Sequence, residues 1–169
     1  TLRKADSIGS LIGRAREFLQ SPSILALEFM DRKCSALAGL EEKHHLFAEF
    51  SSGEGEAKGE KEKAEVWKKR EALGPVLSRE GYSITEDPGV GLEKLPALAA
   101  WLENKGIPYF GHLGTGIIHS RFRKGQEPLI REMLSLVSEL GGSVSGEHGI
   151  GVLKKEFLSE VEKERLKKL

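Results

Sequence analysis

The sequence predicts an α+β fold, an antiparallel sheet with helices packed on one face. Two observations carry that expectation. Apolar residues at helical spacing alternate along the chain with short apolar runs bounded by turn residues. No such run is followed by G-x-G-x-x-G or a Walker loop, so a self-contained nucleotide-binding sheet of the doubly wound kind is not expected.

The elements follow in order. Ile8, Leu11, Ile12, Ala15, Phe18 and Leu19 form one apolar helical stripe, which Ser21-Pro22-Ser23 ends. Ile24 to Phe29 reads as a buried strand, Arg32 to Leu40 as a short helix, and Leu46 to Phe50 as a second strand. Ser51 to Lys63 is rich in Gly, Glu, Lys and Ser and reads as a solvated loop. A charged helix over Glu60 to Leu73 carries Trp67 and Arg70, and Gly74-Pro75 is expected to break it. Tyr82 to Glu86 is a candidate third strand. Leu92, Leu95, Leu98, Ala99 and Leu102 mark one amphipathic helix. Leu129, Met133, Leu136, Val137 and Leu140 mark another, closed by Gly141-Gly142. A hairpin is expected between them, over Ile107 to Phe122. Phe157 to Leu169 reads as a charged terminal helix with i,i+4 pairs.

With 169 residues the chain reads as one domain, residues 1–169. Apolar residues make up 38% and charged residues 31%, the balance of an ordinary soluble protein. Lysine plus arginine equals aspartate plus glutamate at 26 each. A zero net charge argues against nucleic acid or an anionic membrane as a partner held by bulk attraction. No apolar run reaches the roughly 20 residues of a membrane span, and no signal-peptide pattern opens the chain, so a cytoplasmic protein is expected. The single cysteine, Cys34, excludes an internal disulfide and reads as an inert buried thiol.

Two glycine-rich segments hold the residues that can do chemistry. In Gly111-His112-Leu113-Gly114-Thr115-Gly116-Ile117-Ile118-His119, a two-residue turn at Thr115-Gly116 would pair 113 with 118 and set His112 directly across from His119. Opposed side chains have Cβ atoms about 4.5–5.5 Å apart, close enough for two imidazoles to share a divalent ion. The alternative is a pair of ordinary surface or core histidines. The second segment runs from Gly141 to Gly151 and contains Gly146-Glu147-His148-Gly149. Glu147 could complete a His-His-carboxylate set for zinc, manganese or iron while His148 serves as a general base. The alternative is a tight turn in which Glu147 caps the backbone and His148 is exposed. Arg70 could clamp a carboxylate with its planar fork, or be solvated beside Lys68 and Lys69. His44 and His45 open a strand and are expected to be exposed.

Taken together, these segments resemble the C-terminal domain of the FAD-linked oxidases. That family includes the flavin subunit of glycolate oxidase, D-lactate dehydrogenases and D-2-hydroxyglutarate dehydrogenase. The resemblance starts at Leu25 to Asp31 and passes through Trp67 to Leu73, Ile84 to Asp87 and Pro108 to His112. It is most specific over Gly141 to Gly151. It implies a ferredoxin-like sheet with added helices, capping a flavin that sits on a separate N-terminal domain or subunit. It also implies that His112, His119 and Glu147 are metal ligands (zinc or manganese) and that His148 takes the hydroxyl proton. Arg70 would bind the substrate carboxylate, and Gly146 and Gly149 would face the cofactor. Thr115 and Ile117 depart from the family pattern G-H-x-G-D-G-N-x-H, which has Asp and Asn there. The stretch from Gly53 to Glu62 is shorter than the family's.

Three functions follow as expectations. The first is the cap and substrate domain of an FAD-dependent oxidoreductase acting on a small 2-hydroxy acid of the glycolate or D-lactate class. On that reading the chain is inactive without its FAD-binding partner. The second is a non-catalytic module that binds a metal ion or a small carboxylate. The third is a structural domain forming a homodimer, favoured if the three histidines do not share a cleft.

Overall fold

The computed structural model describes residues 1–51, 55–56, 59–151, 154–158 and 163–164. The chain runs through β1 (Leu2–Ala5), α1 (Ile8–Phe18), β2 (Ile24–Met30), α2 (Arg32–Leu37), β3 (His44–Phe50), α3 (Glu60–Glu71), α4 (Leu73–Arg79) and β4 (Ile84–Glu86). It continues through α5 (Leu95–Asn104), β5 (Tyr109–His112), β6 (Ile117–Phe122), α6 (Glu127–Glu139) and a 3₁₀ turn over Lys155–Phe157. The six strands form one antiparallel sheet in the order β1-β3-β2-β5-β6-β4, so the fold is α+β.

Strand periodicity divides the side chains between two faces. Leu27, Phe29, Leu46, Ala48, Tyr109, Ile118 and Phe122 point one way and pack with the buried stripes of α1, α5 and α6. Those stripes are Ile8, Leu11, Ile12 and Ala15 on α1, Leu95, Leu98, Ala99 and Leu102 on α5, and Ile130, Met133, Leu134 and Val137 on α6. On the opposite face Met30, Phe47 and Phe110 join Cys34 of α2, Leu73 and Leu77 of α4, and Tyr82 in a second, smaller cluster. Glu28, His112, Ile117 and His119 share this second face by register but lie outside that cluster. This is the surface on which a site can form.

Local chemistry fixes the element ends. The Ser7 side chain accepts from the Ser10 amide and starts α1. Asp31 does the same for α2, accepting from the Cys34 amide at 2.7 Å. No helix among the described residues is long and apolar enough to cross a membrane.

The structure corrects several expectations. β1 is a short edge strand hidden in the sequence by its charged residues, Arg3 and Lys4. Gly74-Pro75 does not end the helical region: Ala72 stays helical between α3 and α4, and Pro75 sits in the first turn of α4, where a missing N–H costs nothing. His44 and His45 are buried rather than exposed, because β3 starts two residues earlier and is interior to the sheet. Of the expected terminal helix, the part over 159–162 and 165–169 lies outside the described residues; residues 163 and 164 are helical, and Phe157 ends a 3₁₀ turn over Lys155–Phe157. Residues 52–54 and 57–58 of the Ser51–Lys63 loop likewise lie outside them, and α3 takes its last residues from Glu60 on.

Candidate functional site

The hairpin forms with a different register from the one the turn rule suggests. His112 pairs with Ile117, and Phe110 pairs with His119. Residues 113–116 make the connection, with the Thr115 amide donating to the His112 carbonyl at 3.3 Å. Gly116 turns there with φ of +72°, and a Cβ at that position would lie 2.0 Å from the Val90 carbonyl oxygen. The register moves by two residues, and a shift of two preserves the face. His112 and His119 are therefore diagonal neighbours on one face, with Nε2 atoms 3.1 Å apart and rings edge to face at 5.0 Å.

The second glycine-rich segment reaches these histidines because a buried acid holds it. After α6, Ser143 and Gly89 exchange two backbone hydrogen bonds at 2.8 Å. The Asp87 carboxylate then accepts from the amides of Gly146 (3.1 Å), Glu147 (2.5 Å) and His148 (2.7 Å), all on Oδ2. Lys154 donates to Oδ1 at 2.6 Å and also pairs with Glu86 at 3.0 Å. Burial alone would raise the Asp87 pKa. The Lys154 ammonium and the amides of Glu147 and His148 outweigh it and hold the carboxyl well below the usual carboxylate range. Asp87 thus stays ionised and folds the Glu147-His148 turn onto the sheet.

Glu147 and the two histidines converge. His112 Nε2 lies 3.3 Å from one Glu147 oxygen, and His119 Nε2 lies 4.0 Å from the other. One ligand atom from each of the three falls within 4.8 Å of the others. Two imidazole nitrogens and a carboxylate oxygen can hold a divalent ion of borderline softness. Glu28 orients the set: an ionised carboxylate only accepts, so His112 donates from Nδ1 to Glu28 Oε1 at 2.5 Å and presents the Nε2 lone pair. His119 is buried, and burial, followed by the charges of His112, Arg70 and His148, lowers its pKa to about 4. It is therefore neutral near pH 7, the form that ligates.

His148 is exposed, and its ring stacks on His119 at 5.3 Å with an interplanar angle of 23°. Arg70 is not solvated on a charged helix. Its Nε and Nη2 donate to Glu28 Oε2 at 3.1 and 2.9 Å, and its guanidinium lies 4.3 Å over the Phe110 ring. Gly146 packs on Ile117, where a Cβ would meet the Ile117 side chain at 2.8 Å, while Gly149 has open space beside it. Sequence reading missed Glu28, Asp87 and Lys154. The resemblance spanned Glu28 and Asp87, but no spacing rule marks a residue whose partner lies 84 or 60 positions away.

Residues 21–169 match the family of FAD linked oxidases, C-terminal domain. Over 107 residues the chain is 33% identical to the mitochondrial D-2-hydroxyglutarate dehydrogenase of Rattus norvegicus, covering 55% of this chain and 20% of that protein. The mitochondrial enzyme of the same name from Danio rerio is 28% identical over 108 residues, covering 55% and 20%. The D-2-hydroxyglutarate dehydrogenase of Xanthomonas citri pv. viticola is 26% identical over 115 residues, covering 56% and 24%. The matched part of the chain spans about a fifth to a quarter of the length of these relatives. The family match takes in both glycine-rich segments and every residue placed around His112, so the chain belongs to the FAD-linked oxidases as their C-terminal domain.

Proposed function

We propose that this domain binds a small 2-hydroxy acid and supplies the carboxylate-binding and proton-accepting groups for its oxidation. The observation that supports the reading most is the convergence of His112, His119 and Glu147 beside His148 and Arg70. The relatives are named for D-2-hydroxyglutarate, so that acid is the first to test, ahead of glycolate or D-lactate.

FAD, carried on a flavin-binding domain or subunit, would supply the hydride acceptor. The exposed turn at His148 and the open side of Gly149 leave room for a flat ring system against this surface. His112, His119 and Glu147 would hold zinc or manganese, which lowers the pKa of a substrate hydroxyl. His148, held by its backbone hydrogen bond to Asp87, takes the hydroxyl proton. Arg70 keeps Nη1 free of Glu28 and offers it to the substrate carboxylate.

The test joins the chain to its flavin-binding partner and measures 2-hydroxy-acid oxidation. His148→Ala is expected to lower kcat by about 10²–10⁴. A rate within threefold of the parent overturns the assignment of the base. A second reading, a module that binds a metal or a carboxylate without turnover, is favoured by Ile117 filling the space at Gly146. It is supported if zinc binds, His112→Ala abolishes that binding, and no acid is oxidised in the joined protein.

A further inference from the structure

Arg121 has no role in the site described above. It follows His119 by two positions on β6, so it projects from the same face of the sheet. It is buried, with 8% of its surface exposed. Nη1 donates to Thr85 Oγ1, and Nη2 donates to Ser78 Oγ at 3.0 Å and to the Tyr82 carbonyl at 2.7 Å. Nε is buried without a partner. Every one of these partners is neutral, and among the described residues no carboxylate pairs with this guanidinium. Two other buried or nearly buried cations among the described residues behave differently: Arg70 pairs with Glu28, and Lys154 pairs with Glu86 and Asp87.

A buried cation without a counter-charge is costly, and its desolvation normally requires a carboxylate or phosphate. Burial accordingly lowers the Arg121 pKa. The three neutral acceptors fix the plane of the fork without neutralising it. Ser78, at one edge of the fork, is itself exposed; both Nη2 hydrogens are engaged, which leaves Nε and one Nη1 hydrogen to meet an anion.

We infer that Arg121 is an anion subsite that takes the second carboxylate of a dicarboxylic 2-hydroxy acid, one strand pleat beyond His119. The inference rests on the proposed 2-hydroxy-acid reading and adds to it the residue that selects a diacid over a monoacid. A carboxylate meeting a fixed guanidinium forms a charge-assisted pair, stronger than any contact an alkyl end could make there.

The experiment titrates the full chain calorimetrically with glutarate and with valerate, acids of equal carbon number that differ in the second carboxylate. Glutarate is expected to bind about tenfold tighter, a difference of about 1.4 kcal/mol. Arg121→Gln should bring glutarate down to the valerate level and leave valerate unchanged, and Arg121→Lys should retain part of the preference. Ser78→Asp gives Arg121 an internal carboxylate. It should abolish the preference without lowering the melting temperature, which keeps the test open should Arg121→Gln fail to fold. Equal binding of both acids, or a preference that survives Arg121→Gln or Ser78→Asp, overturns the subsite. If the two acids bind equally and Arg70→Ala weakens both, the subsite falls while the 2-hydroxy-acid reading stands. If neither acid binds, the subsite falls, and the 2-hydroxy-acid reading is decided separately by oxidation in the joined protein.

Discussion

Glu28 accepts from His112 through one oxygen and pairs with Arg70 through the other, so one carboxylate sets both the tautomer of a candidate ligand and the pose of a candidate substrate arginine. Glu28→Gln keeps the size of the side chain but replaces an obligate acceptor with an amide that can flip, and His112 is then free to turn or change tautomer. Partners of this kind typically contribute 10- to 100-fold in metal affinity. Zinc titration of Glu28→Gln should show a loss of about that size, with the melting temperature changed much less. An affinity within twofold of the parent removes the orienting role. Asp87 carries a different burden. Three amides and Lys154 depend on it, and Asp87→Asn leaves the Lys154 charge with only Glu86 in a buried place. Breaking a buried pair from one side costs about 3–5 kcal/mol. For a chain of this size the melting temperature should fall by roughly 10 °C in a calorimetric scan. His112, His119, Glu147 and His148 were legible in the sequence because glycine-flanked histidines are an uncommon local pattern. Glu28, Asp87 and Arg121 were not, since each looks like an ordinary charged strand residue until its distant partners are in place.

The hairpin between β5 and β6 shows how far periodicity alone can carry an element. Its two strands and their faces were legible from the alternation of apolar residues, and the face is what the site requires. The register was not, because Thr115 tolerates positive φ poorly and the chain resolves this with a longer connection that gives Gly116 alone the left-handed conformation. Gly116→Ala combines a disfavoured φ with a Cβ placed 2.0 Å from the Val90 carbonyl oxygen, and backbone cannot yield as a side-chain tip can. The expected loss exceeds about 1 kcal/mol in urea unfolding. Because 113–116 also sets the diagonal of the two histidines, zinc affinity should fall with it. An unchanged unfolding midpoint would show that the turn relaxes without cost. The extent of α4 was lost to sequence reading for a related reason: Gly74-Pro75 is a breaker inside a helix but a good start to one, and only Leu73 and Leu77 docking into the second cluster decides between them.

The sheet is clasped from both faces, and β3 carries a histidine toward each. His44 lies 3.5 Å from Glu103 of α5, on the side of the large helical layer. His45, pointing the other way, contacts Ser35 of α2 at 2.9 Å and the Lys43 carbonyl at 3.0 Å. Burial pushes both pKa values down, against the raising influence of Glu103 on His44 and of the Lys43 carbonyl and Glu41 on His45, with Arg32 and Lys4 adding to the lowering. The unfolded chain therefore binds more protons than the folded one as pH falls below the ordinary histidine value of about 6.5. The stability these two neutral rings contribute is present above that pH and lost as pH falls through it. Asp31 at the start of α2 works in the opposite sense. Burial raises its pKa to about 7, outweighing the lowering by the Cys34 and Tyr109 contacts, so its contribution is lost as pH rises from about 4 toward 7. Between these limits the slopes oppose each other, and the parent protein alone cannot separate them. Difference curves can. The melting temperature of His44→Gln/His45→Gln, subtracted from that of the parent, should narrow as pH drops from 7 to 5. The same difference for Asp31→Asn, which retains the helix cap, should widen in favour of the variant as pH rises from 4 to 7. Flat difference curves in both cases would mean that these groups share one protonation state in the folded and unfolded chains, and that the clasp across the two faces is apolar packing alone.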